Sequence, residues 1–156
     1  MTETTVKEAK DYLLQIRLLD AQIDCMLSSV QGLRDSLLRI TPTLKQDVVT
    51  GSSAHDRMSA TVAKIVDLEN EINAKVDALV DRKAQVIRLL EKVRNPDYLK
   101  VLQMRYIEYA SLEEIAVEMH YSYRWIKKLH GRALQVFRKI MDEEKKEILF
   151  NESERT

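Results

Sequence analysis

The stretch 111–134 reads SLEEIAVEMHYSYRWIKKLHGRAL, and the architecture of the C-terminal part follows from it. Ser111 precedes an apolar run and Glu114 stands three residues on, the spacing of a capping box that opens a helix. Ser122 precedes a second run, about 123–141, in which Ile126, Leu129, Ala133, Val136, Phe137 and Ile140 share one face. Counted from Leu112, the small Ala116 falls fifth, where two crossing helices approach most closely. Ile115, Met119, Tyr121, Ile126 and Leu129 fall where such helices must share a core. A short helix, a three-residue turn and a long basic helix describe a helix-turn-helix. His120 occupies the turn position that favours positive φ, at a modest strain for a non-glycine residue.

Upstream, Asn95-Pro96-Asp97 supplies an N-cap, a proline at the first helical position and an acid at the positive helix end. The helix that follows, about 96–108, is expected to bury Leu99, Leu102, Met104 or its neighbour, and Ile107. Before it lie two heptad series, Ala9, Ile16, Ile23, Val30, Leu37 and Tyr12, Leu19, Met26, Leu33, Ile40, offset by three as in a coiled-coil seam. The residue before proline is biased away from helix, so this helix is expected to end at Thr41-Pro42. A loop over 42–56 should follow. A second seam runs through Met58, Ile65, Ile72, Leu79, Val86 and Val93, with Val62, Val76 and Leu90 beside it and Glu69 and Lys83 interrupting. An antiparallel hairpin is the simplest arrangement, although periodicity equally allows either seam to pair with a second copy. The expected layout is a hairpin over 1–95, a helix-turn-helix domain over 96–141 and a charged tail over 142–156.

Composition narrows the class. Among 156 residues there are three Gly and two Pro, too few turn formers for an antiparallel β fold. The single cysteine, Cys25, excludes an internal disulfide and any multi-cysteine zinc site, and is expected to be a small buried hydrophobe. No apolar run reaches the roughly 20 residues of a membrane span, and the N-terminus lacks a signal-peptide layout, so a cytoplasmic protein is expected. The histidines at 55, 120 and 130 fall in different elements, and no glycine-rich phosphate cradle occurs. Neither catalysis nor a cofactor or metal is expected. The 25 basic and 25 acidic residues cancel, but the stretch 122–140 holds six basic residues and no acid. A local cationic run matters more to a polyanion than the net charge does.

Val101-Leu102-Gln103-Met104-Arg105-Tyr106-Ile107-Glu108, Ser111-Leu112-Glu113-Glu114-Ile115-Ala116 and Leu129-His130-Gly131-Arg132-Ala133-Leu134 together resemble the last DNA-binding region of bacterial sigma factors. The whole layout is similar to phage and prophage regulators of the ArpU/RinA type, which activate late genes. The likeness implies an all-α fold, a coiled-coil-like hairpin followed by a sigma-like helix-turn-helix domain. It also implies a transcription regulator in a bacterial host, with double-stranded DNA and host RNA polymerase as partners. The Asp47–Ser53 stretch resembles a short segment of the phage-type relatives and is a candidate partner site.

With Ile126 and Leu129 facing inward, the helix repeat points Tyr123, Arg124, Lys127 and Lys128 outward, on the face that reads bases in the sigma family. Arg124 suits guanine bidentately; Lys127 and Lys128 suit base or phosphate. Arg132, Arg138 and Lys139 are expected at the DNA backbone, Ser122 and its helix N-terminus at a phosphate, and Trp125 either on sugar-phosphate or against a neighbouring helix. Gly131 is expected to permit close helix packing and His130 to be a packed histidine. The favoured expectation is a homo-oligomer, most simply a dimer, with no membrane association. The alternatives are a phage DNA-packaging subunit and a coiled-coil adaptor that binds RNA polymerase but no DNA.

Overall fold

A computed structural model describes the backbone of residues 2–46 and 51–155 and the side chains of residues 6–40 and 55–155. Five helices follow one another: α1 (Thr2–Gln46), α2 (Gly51–Glu91), α3 (Pro96–Tyr106), α4 (Leu112–Met119) and α5 (Tyr123–Glu154). The described residues contain no strand, and no described helix is long and apolar enough to cross a membrane.

The chain divides into two compact units, one of Met1–Leu18 with Asp81–Thr156 and one of Leu19–Val80. The division does not follow the Asn95-Pro96 boundary, because both ends of the hairpin carry core residues of the first unit. Ala9, Leu13 and Ile16 of α1, Val86, Leu89 and Leu90 of α2, and Val93 are all buried there. Tyr12 sets its ring 6.3 Å from that of Phe137 on α5. A second cluster joins α3, α4 and α5 through Val101, Ile115, Ala116, Ile126 and Leu129, with Tyr98, Met104 and Met119 packed on it. Of the four residues expected to fill α3's core face, Leu102 is buried and Leu99, Met104 and Ile107 are half-buried. Val101 and Tyr106 are buried as well, Val101 about 100° round the helix from Leu102, so α3 is covered on more than one side.

In the second unit α1 and α2 run antiparallel. Lys75 Nζ donates to Gln22 Oε1 at 3.1 Å, and Arg34 pairs with Glu69 further along, so α2 descends as α1 ascends. Ile23, Val30, Ile65, Ile72 and Leu79 are buried along the seam. The two seams therefore meet within one chain.

Three expectations about element ends and burial need correction. α1 passes through Thr41-Pro42 to Gln46, and α2 opens at Gly51, so most of 42–56 is helical. Proline removes one N–H bond and strains the turn before it, but it does not forbid helix beyond it; of the Asp47–Ser53 stretch, residues 47–50 lie outside the described residues. α5 does not stop at 141 but continues to Glu154. Glu, Lys, Ile and Leu are good helix formers, and Lys92 ties the extension down through Glu144 at 2.6 Å and Glu147 at 3.8 Å. Cys25 is exposed. It follows Ile23 by two residues, roughly 200° round the helix, which turns it away from the seam.

Candidate nucleic-acid interface

The local chemistry of α4 and α5 fixes the aim of the cationic face. Ser111 Oγ accepts from the Glu114 N–H at 3.1 Å while the Glu114 carboxylate accepts from the Ser111 N–H at 2.7 Å, the reciprocal capping box. Those bonds hold the Glu114 carboxyl below its ordinary range. His120 adopts φ 58 and ψ 38, the left-handed conformation expected of the turn. It positions the Tyr121 N–H to reach the Ala116 carbonyl at 3.0 Å. Tyr121 itself departs from expectation: its ring is exposed, and its hydroxyl donates to Asp97 at 3.2 Å, anchoring the turn to the start of α3.

Ser122 caps α5, its Oγ accepting from the Trp125 N–H at 3.1 Å. Ile126 is fully buried and Leu129 nearly so, each contributing about 1.5–3 kcal/mol by leaving water. Turning α5 by about 100° would swap Ile126 for Lys127, so the apolar pair locks the orientation. Outward lie Tyr123, Arg124, Trp125, Lys127, Lys128, Arg132 and Lys139, all at least partly exposed. Among the described residues Arg124, Lys127 and Lys128 form no ion pair. Lys127 Nζ stands 5.6 Å from the Tyr123 ring centroid. The Arg132 guanidinium stands 5.5 Å from that of Trp125, so Trp125 is an exposed ring with a cation over it.

Arg138 does not join this group. Its side chain is only 16% exposed and is engaged by Glu8 of α1 and, at 3.2 Å, by Asp142. Helix angle does not set it apart, since at about 120° from Ile126 it lies beside Lys127, at about 100° and exposed. What differs is the neighbour: Glu8 of α1 stands where Arg138 emerges. Gly131 also differs from expectation: a Cβ built there meets nothing within 4 Å, so close helix packing does not require glycine.

Two features had no clear sequence signal. Tyr106 Oη lies 2.7 Å from His130 Nε2, with the rings stacked 5.7 Å apart. Burial, then the charges of Arg105 and Lys10, lowers His130 to about 4, and burial raises Tyr106. The ring is thus neutral at physiological pH and shares a hydrogen bond with a protonated phenol, its direction set by the imidazole tautomer. Tyr109, between α3 and α4, has φ 61, an outlier for a bulky residue. Arg17 stands 5.7 Å and Lys83 5.9 Å from its ring centroid. Tyr109 takes this conformation two residues before the capping box, where the sequence has no glycine to mark it.

The described residues are thus helical apart from short connections, with an exposed cationic face at the start of the last helix. Residues 38–135, more than half of the chain, match a family described as "Protein of unknown function (DUF1492)", and the chain belongs to that family. No curated protein and no solved structure matches it.

Proposed function

We propose that this protein is a sequence-specific DNA-binding transcription regulator that lays the first turns of α5 in the major groove. The observation that carries the reading is the set Arg124, Lys127 and Lys128: exposed, without an acidic partner among the described residues, and aimed by the burial of Ile126 and Leu129. Arg124 reads guanine, Lys127 and Lys128 meet bases or phosphates, and Arg132 and Lys139 meet the backbone. Ser122 keeps its hydroxyl proton for a phosphate, since its oxygen is the acceptor in the cap. α4 crosses the backbone as the supporting helix of a sigma-like helix-turn-helix. The family is found in phage proteins, which supports a phage regulator of the late-gene activator type, acting as a homodimer beside host RNA polymerase in the bacterial cytoplasm.

The test is selection of duplexes from a random pool by the full chain, followed by anisotropy on the winning site. Wild type should enrich a defined sequence; the Arg124→Ala, Lys127→Ala, Lys128→Ala triple variant should bind it no better than random duplex while its helicity is unchanged. Enrichment of no sequence by the wild type refutes the reading.

A further inference from the structure

The hairpin unit Leu19–Val80 buries one stripe of each helix, yet α2 carries a second stripe that the chain leaves uncovered. Val62, Val66, Val76 and Val80 are 43%, 48%, 38% and 59% exposed. The heptad pattern makes Val62 and Val76 companions of the inner seam, whereas the structure turns them outward. Together with Glu69 and Asn73 they occupy an arc of about 80° on the helix. Their spacing of four, three, four, three and four residues is that of a complete a/d seam. Four exposed β-branched residues in one helical row give up helix propensity for nothing within the chain. The stripe borders a groove between the two helices, and Leu27 of α1, 49% exposed, lines its far bank.

The geometry points to a second copy of this chain as what covers the stripe, α2 packing antiparallel on α2 about a two-fold axis near Glu71. The pattern is self-complementary in that register alone. In an antiparallel coil an a residue faces a d residue. Val62 then meets Val80 of the second copy, Val66 meets Val76, and Glu69 meets Asn73, each pair occurring twice. Every valine finds a valine, and the two polar members find each other, with an amide N–H available to the carboxylate. Glu69 keeps its intrachain Arg34 as counter-charge. A parallel pairing would set Glu69 against Glu69, a like-charge contact in a desolvated seam. Of the flanking positions, Ala63 and Asn70 are exposed and uncharged, and the exposed acid Asp77 falls opposite Ala63 of the second copy and not opposite another acid. The inference locates the homodimer of the preceding section and stands apart from its DNA contact.

Sedimentation equilibrium of the full chain across the micromolar range tests it, with circular dichroism confirming helicity. Wild type should be a dimer. Val66→Lys should raise the dissociation constant by about tenfold or more, and so should Val76→Glu. The Val66→Lys, Val76→Glu double variant should recover the dimer, because the introduced ammonium then faces the introduced carboxylate of the other copy in both symmetric layers. A monomeric wild type overturns the proposal, as does a dimer indifferent to Val66→Lys. Failure of the double variant to recover overturns the antiparallel register. A monomer that still selects a DNA sequence would remove this interface and leave the DNA reading standing.

Discussion

Replacing Arg124, Lys127 and Lys128 by alanine removes three of the five cations that α5 presents outward over 122–140. Arg132 and Lys139 remain, and Arg138 does not count because Glu8 and Asp142 hold it. Each neutralised phosphate contributes about −0.9 to the slope of log affinity against log salt on duplex DNA. With Arg124 on guanine, four cations are left for phosphates, giving a slope near −3.6, and the two that survive in the variant give about −1.8. Between about 50 and 200 mM salt the wild type should therefore lose roughly 150-fold in affinity, but the triple variant only about 12-fold. Fluorescence anisotropy on one duplex at about four salt concentrations separates the two lines. A triple variant with the wild-type slope would mean that the cationic face is not where phosphates are met, and the assignment of α5 would fall with it.

Other consequences follow from the surroundings of that face. Arg138→Ala should leave the salt slope unchanged but cost about 1–2 kcal/mol of stability, because it strips Glu8 and Asp142 of their shared partner; a shallower slope would return Arg138 to the DNA contacts. Gly131→Ala should stabilise the fold by about 1 kcal/mol, or roughly 2–4 °C in Tm, since its Cβ enters open space in mid-helix. Ser122→Ala should lose about 1 kcal/mol with the cap of α5, read as a lower urea midpoint at constant m. His130 is lowered from 6.5 to about 4, so the folded state prefers the neutral ring. Its contribution is present above pH 6.5 and is lost as pH falls from 6.5 towards 4, amounting to about 2 kcal/mol between about pH 7 and 5. His130→Gln should flatten that window of the pH–stability curve, and parallel curves for the two proteins would refute the assignment.

The parts of this fold that are legible in the sequence are those in which a residue's partner lies within a few positions of it. Asn95, Ser111 and Ser122 each cap the helix that begins beside them, and His120 takes the left-handed conformation that its place in the turn requires. The heptad rows of α1 and α2 specify which faces are apolar, and Ile23, Val30, Ile65 and Ile72 are buried accordingly. Helix ends are less legible, because a proline at 42 or a charged run after 141 biases the local chain weakly. Helix-forming residues beyond 141 carry α5 on to Glu154, and the exposed Lys92–Glu144 pair adds little to that.

The same rule explains why the basic run overstates the candidate interface by one residue. Lys139 and Arg138 are indistinguishable by composition, charge and neighbourhood, and both belong to that run. What separates them is a carboxylate far earlier in the chain: Glu8 occupies the place where Arg138 emerges, and no equivalent acid meets Arg124, Lys127 or Lys128 among the described residues. The stripe on α2 inverts the case. Its heptad spacing is visible in the sequence, but periodicity states only that a face is apolar and not which surface covers it. Exposure of all four valines in a chain whose inner seam is already filled is what separates a seam satisfied internally from one that still needs a partner. A basic or apolar row in a helix is therefore evidence of function only after its intramolecular claimants have been counted. By that criterion Arg124, Lys127 and Lys128 remain the candidate binding face, Arg138 is a strut held by Glu8 and Asp142, and the Val62–Val80 row is the proposed interface.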